Sequence, residues 1–585
     1  MIRRLLFAFL PFAPATLAMG AAAQGQEPSH PSELVALATE LRQWHRDQPS
    51  GVPDFAEQAE KRKRELPEFR QRLHRLNPRN WPVHAQVDYL MLQAELDALD
   101  FRLNVIRETS KNPDFYLSQA VSRVTRHIGG RFQRAPGITV PYDADRAAAI
   151  VQALTEIEAI VSQAPRALSG AVPELADVAI ERTNGIRENC AELARVVGQH
   201  LPEPYASQIG PAAKRAAEAL FEYREWLREN RSRMTGSYVV GRPAFEWYVQ
   251  RVIMFPYDSD QLLMHAEMER SRNWAFLQFE RQKNRHLPHP GKMFTVAPLR
   301  PAATNQEYSE WKDATDVGSR LWAEKQDLFT HPDELGPMRH GQGGIWIEPF
   351  GLMAFPEEPL PPGSYAQFVV EPDHWWAHSY WIMGHRRDPG DNHPHNEYPG
   401  HRFETTVSQK NTCSLRRGHR TRGDSWCFYV EEMQVQLDYP FVRGARAREL
   451  IYGLAIMRAE RVHVAVNMAR GSMAPEQVEE YMMASVPWME PYVAKKHEMW
   501  RKLVRPASVL NYQVGKYEVY KLLRDRMRQL GDDFDLRAFH DALLATGQIP
   551  VSLARLDMTG TNEEIDYLWD WKPIPELPER RSAGR

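Results

Sequence analysis

The sequence predicts a mainly α, large multi-helix fold in two lobes, with a few short β-strands near an active-site cleft. Three observations carry that expectation. Apolar residues recur at helical spacing from Pro31 for roughly two hundred residues. A second helical tract follows a break at 236–243. Residues that favour strands bunch at 344–350 and 365–370, just ahead of a stretch dense in histidine and acid. With 585 residues the chain exceeds the ~100–200 of one domain, so more than one large core is expected.

In chain order, Met1-Ile2-Arg3-Arg4 precede an apolar run from Leu5 to Met19, broken by Pro11 and Pro14 and closed by Ala21-Ala22-Ala23. A short basic region, a core too short to span comfortably and small residues at its end describe a cleavable signal peptide over residues 1–23. A periplasmic or secreted protein is therefore expected. No later stretch approaches the ~18 apolar residues of a membrane span, so no membrane partner is expected after signal cleavage. Lys plus Arg at 73 nearly cancel Asp plus Glu at 76, which leaves no electrostatic footprint for nucleic acid.

Residues 24–235 read as an N-terminal helical lobe. Leu34, Leu37, Leu41 and Trp44 share one helical face, as do Leu92, Leu96, Leu99 and Leu103, and again Ile150, Leu154, Ile157 and Val161. Pro78, Pro113, the 136–141 stretch and Pro202-Glu203-Pro204 punctuate these helices. The break at Gly236 to Pro243 marks the boundary with a second lobe over 236–575. There Ser259 or Asp260 can cap a helix running to about Gln282. The strand segments offer either a free edge that pairs with an extended peptide or a small structural hairpin. His374, Trp375, Trp376, His378 and Trp381 can line a cleft or pack in a core.

A long helix is expected from about Ala445 to Arg470, and another opens near Pro475 and runs toward Ser485. Arg446, Arg448, Arg458, Arg461 and Arg470 either orient acids in a site or form a solvated face. Asp535 caps a helix over 536–546 that Gly547 closes, and residues 576–585 form a frayed tail. Cys190 belongs to a helical core. Cys413 and Cys427 are either bridged in an oxidising compartment or two buried thiols.

The chemistry concentrates in His393-Pro394-His395-Asn396-Glu397-Tyr398-Pro399-Gly400-His401 and then Asp424 to Glu432. Imidazole and carboxylate are the ligands that a borderline cation such as zinc selects, and two histidines with one acid leave a position for water. His395 and His401 stand six residues apart. Six residues turn an ideal helix by ~600°, leaving them about 120° out of line, so Pro399-Gly400 must bend the backbone if both bind one ion. Spacing alone prefers Glu397 with His401, and Glu404 a turn later.

These residues resemble the bacterial family called domain of unknown function 885. Its members look like secreted zinc peptidases with His-Glu-x-x-Pro-Gly-His and then Glu-Gly-Trp-Ala-x-Tyr-x-Glu. Here His395, Pro399, Gly400 and His401 match the first motif, and Trp426, Tyr429 and Glu431 the second. Further segments resemble the family in order: Asn112 to Tyr116, Trp247 to Tyr257, Asn511 to Lys516 and Asp533 to Pro550. The chain departs from the pattern at Asn396, Arg402 and Asp424-Ser425, and Ala469 stands where members often carry a histidine.

The resemblance implies a zincin-like fold, a metallopeptidase-like second lobe and one zinc ion on His395, His401 and Glu431. Glu397 is the acid available as general base, and Tyr512 is either an oxyanion donor or a buried tyrosine. Arg416 and Arg417 either hold a substrate carboxylate or belong to a solvated loop. The expected function is an exported zinc-dependent hydrolase of peptides or amide-containing small molecules. The alternatives are a catalytically degenerate metal-binding or ligand-binding protein and a helical scaffold with structural histidines. The sequence leaves the substrate and the oligomeric state open.

Overall fold

The computed structural model describes residues 31–46, 51–288, 299–336, 338–370, 374, 384, 386–391, 393–417, 421–486 and 488–576. The expected signal segment, Trp375, Trp376, His378, Trp381 and nearly all of the tail lie outside the described residues. The fold is mainly α, at 68% helix with a few short strands.

The expected stripes become core faces. Leu34, Leu37 and Leu41 are buried on the helix Ser32–Arg46, and Ile150, Leu154, Ile157 and Val161 on two successive helices, Ala144–Thr155 and Ile157–Val161. One core joins the helices Pro113–Ile128, Ala144–Thr155, Ile186–Gly198 and Tyr205–Asn230, and Cys190 sits inside it. A second core joins the first three long helices among the described residues, Ser32–Arg46, Phe55–His74 and Val83–Phe101, to Phe403, Trp426, Tyr429, Leu522 and Leu543. The described helices of residues 24–235 thus contribute to two cores, and the early leucine stripes share theirs with residues as distant as Phe403, Trp426 and Leu543, which no local pattern encodes.

Among the described residues five strands are present: β1 (Phe132–Arg134), β2 (Met338–Gly343), β3 (Ile345–Ile347), β4 (Gly351–Met353) and β5 (Tyr365–Val369). β3 and β4 form an antiparallel hairpin. The second expected strand, β5, lies at the centre of the sheet β1-β5-β2, antiparallel to β1 and parallel to β2, so both its edges are paired.

The helix Ser259–Lys283 starts as expected, but Asp258 caps it, in a capping box with Gln261. It packs along Ala447–Arg470, which Gly471 ends in the left-handed conformation. Ala447–Arg470 is buried on nearly every side yet carries Arg458, Glu460 and Arg461 inside the protein. Charges enter a core only with partners, so this helix points to the site.

Candidate metal centre

Two helical pieces and a bend present the histidines. The turn His393–Asn396 stops, residues 397–400 bend, and a new helix runs His401–Ser408. Pro399 cannot donate to a helix, and at Gly400 a Cβ would collide with the carbonyl oxygens of Pro394 and His395. Trp426 fixes the bend by donating from Nε1 to the Pro399 carbonyl at 2.8 Å. The expected distortion is thus present, and it brings the rings of His395 and His401 within 4.9 Å, edge to face.

The third wall is the helix Thr421–Gln436, which the helix Leu510–Leu530 approaches closely at Gly515. A Cβ there would strike Ser425, whose hydroxyl donates to the Asn511 carbonyl at 3.0 Å. Asp424 meets His401 at 3.3 Å (Oδ1 to Nε2). His395, His401 and Asp424 each offer a ligand atom, and the three atoms lie within 4.8 Å of one another. Two imidazoles and a carboxylate suit zinc.

Glu431 lies behind His395, with Oε1 2.7 Å from Nδ1. The same oxygen accepts from Arg458 at 2.7 Å, so Arg458 is one of the arginines that orient an acid. A carboxylate in that position fixes the ring of a metal-bound histidine. Asp424 was not assigned a role from the sequence. Its signal was legible, because seven residues separate Asp424 from Glu431, nearly two helical turns, and place both on one face.

Burial and neighbouring charges act differently on the members of the cluster. Burial, then the His401 and Arg458 charges, hold His395 well below the usual histidine range, so it is neutral. Burial is the largest influence on both His401 and Asp424 and works against charging them, but their mutual hydrogen bond and opposite charges together outweigh it, raising the histidine and lowering the acid. Burial pushes Glu431 up to about 7, against Arg458 and Lys516.

Tyr512 is buried and stacks on His395, with ring centroids 5.9 Å apart and planes 14° apart. Burial raises its hydroxyl above the usual range against a hydrogen bond from Arg501. Tyr429 of the second motif serves packing: its hydroxyl meets His540 Nε2 at 2.9 Å, and His540 Nδ1 bonds the Leu328 carbonyl.

Glu397 lies elsewhere. It is fully buried 3.9 Å from Lys312 Nζ, which is also fully buried, and it is outside the ligand cluster. Burial raises Glu397 and lowers Lys312, each against the charge of the other. Beside them Asp316 pairs with His393 and Arg320, both at 3.2 Å. Glu404 is held by Arg422 at 2.6 Å.

Arg416, Arg417 and the two later cysteines, for which the sequence left alternatives open, take definite places. Arg416 is buried and bonded to Asp88 at 2.7 Å, Asp557 at 2.5 Å and the His84 and Thr546 carbonyls, so its guanidinium is spent inside the fold. Arg417 is exposed and donates to the Asn411 carbonyl. Cys413 and Cys427 are separate buried thiols, the first 3.8 Å from Asp88, so no disulfide links them.

Residues 392–558 match the family described as "Bacterial protein of unknown function (DUF885)". The match spans both motifs and the segments at 511–516 and 533–550. Two solved structures share the fold. One, titled a "putative lipoprotein of unknown function" from Shewanella oneidensis, has a TM-score of 0.67 at 16% identity, covering 90% of this chain and 98% of the other. A second, titled a "putative lipoprotein" from Colwellia psychrerythraea, has a TM-score of 0.66 at 13% identity, covering 92% and 99%. A search of the curated proteins finds no match.

Proposed function

We propose that the chain is an exported zinc-dependent hydrolase of peptides or amide-containing small molecules, with its metal on His395, His401 and Asp424. The observation that carries this reading is the cluster itself: two histidines and an acid converge across a bend that exists only because Pro399 and Gly400 break the helix. The alternative third ligand is Glu431, with Asp424 then acting as the partner of His401. Bound zinc supplies a Lewis acid and a water of lowered pKa.

The chain's own groups do the rest. Glu431 and Arg458 hold His395 in place. Glu431 Oε2 has no hydrogen-bond partner among the described residues, and a carboxyl raised to about 7 suits proton transfer near neutral pH. Tyr512, against the His395 ring, is the candidate donor to a developing oxyanion. For Glu397 to serve as base instead, its side chain has to leave Lys312. Export rests on the signal-like residues 1–23, and the lipoprotein titles of the two similar structures agree with it.

A second reading, a degenerate metal- or ligand-binding protein, is favoured by one observation. Asn396 cannot take a proton, and the neighbouring Glu397 is engaged with Lys312.

Metal analysis of protein purified without chelator tests the centre: about one zinc per chain is expected, and none in His401→Ala, with the fold kept because an open site adds little folding energy. Full zinc in that variant overturns the ligand set. Zinc without hydrolysis of a mixed peptide library selects the second reading.

A further inference from the structure

We infer that Arg501 recognises a carboxylate next to the bond being cut, so that the substrates are peptides or N-acyl amino acids with a free C-terminal carboxylate; this deepens the hydrolase reading and rests on it. The segment that carries Arg501 is unusual in sequence and in winding. Lys495, Lys496, Arg501, Lys502 and Arg505 fall within eleven residues that contain one acid, Glu498. Residues Ala494–Met499 form a π-helix that continues as the α-helix Trp500–Val504, and π turns gather at functional sites.

Its apolar residues Val493, Ala494 and Leu503 pack with Leu454, Met457 and Val464 of the helix Ala447–Arg470, which fixes where the basic face lies. Glu498 is engaged inward, by Arg461 at 2.6 and 2.8 Å and by Lys502 at 2.7 Å. Lys495 is drawn off to Glu181 at 2.8 Å.

Among the described residues three guanidinium carbons lie within 6 Å of the Tyr512 ring, at 5.5 Å for Arg458 and 5.9 Å for Arg461 and Arg501. They differ in exposure. Arg458 and Arg461 are fully buried on Glu431 and Glu498, whereas Arg501 is half-buried. Tyr512 stacks in turn on His395, so Arg501 stands one ring away from the ligand cluster, and it also acts on the Asp424 charge. The cluster is open on the side of His401 and Asp424, whose side chains are 35% and 20% exposed. The two steps of 5.9 Å through Tyr512 bound the separation of the His395 ring from the Arg501 guanidinium at about 12 Å, a gap that a carboxylate one extended residue of ~3.5 Å past the attacked carbonyl can help to bridge. A guanidinium fork matches a carboxylate bidentately, the recognition once expected of Arg416.

The test uses a mixed tetrapeptide library prepared with free and with amidated C-termini, on zinc-loaded protein. The free acids are expected to react at least tenfold faster and to release their last residue. Arg501→Gln is expected to lower kcat/KM on the free acids roughly 30-fold or more and to erase the preference, and Arg501→Lys to restore part of it. A merely structural role would lower both libraries in proportion; an unchanged ratio overturns the assignment, and Arg501→Lys carries this comparison if Arg501→Gln does not fold. Thermal shifts with N-acetylphenylalanine and its primary amide separate the two readings. Stabilisation by the acid alone without any hydrolysis keeps the carboxylate site and sinks the hydrolase. Hydrolysis with no preference for free acids does the reverse, and neither effect sinks both.

Discussion

One nine-residue motif, His393 to His401, feeds two charged regions that differ in nearly every physical respect. On one side His395 and His401 meet Asp424 in a cluster that is partly open to solvent. On the other, Glu397 faces Lys312 in full burial, with Asp316 and His393 beside them. The first gathers three possible donor atoms within 4.8 Å of one another, which suits an ion. The second joins opposite charges from distant elements, which ties the bend at 397–400 to the helix Asn305–Lys325. A run of ligand-type residues therefore need not be one site: two residues along a bent backbone, the side chains serve different ends.

The sharpest way to break this contrast is to remove one charge from the closed side. Lys312→Met leaves Glu397 buried without its cation and is expected to cost about 3–5 kcal/mol in urea unfolding, while zinc stays near one per chain. Lys312→Met combined with Glu397→Leu should recover most of the loss. A variant as stable as wild type would show that the pair is not a tie.

The next largest effect compares the two acids. Glu431→Gln should keep zinc if Asp424 is the third ligand and lower kcat by ~10², the usual scale for a lost proton-transfer group. Glu397→Gln should lower stability and leave kcat within a few-fold of wild type. Exchanged outcomes would return Glu397 to the role of base, and zinc loss in Glu431→Gln would make Glu431 the ligand.

The smallest effect is on the apo protein's pH dependence. The raised His401 contributes stability that is complete below its unfolded pKa and fades as pH rises through its higher folded value. The lowered Asp424 contributes above its unfolded pKa and loses this as pH falls through its folded value. With His401 a third exposed, solvent screening leaves on the order of 0.5 kcal/mol. Asp424→Asn should flatten the melting temperature of the metal-free protein across the neutral range. An unaltered profile would mean that the pair contributes nothing measurable without an ion.

The sequence by itself determined the helical class, the leucine stripes, the cap at Asp535 and the break at Pro399-Gly400, because periodicity, capping and backbone restriction are local, whereas local spacing preferred Glu397 with His401 and only the family resemblance pointed to the two histidines that meet. Tertiary structure alone decided which acid joins those histidines, that Arg416 belongs to Asp88 and Asp557, that Cys413 and Cys427 stay apart, and that the first leucine helices share a core with Trp426. These are contacts between segments far apart in sequence or across bent backbone. Residue type states what a side chain can bind, whereas packing sets what stands within 3 Å of it, and a buried charge follows the partner that packing supplies.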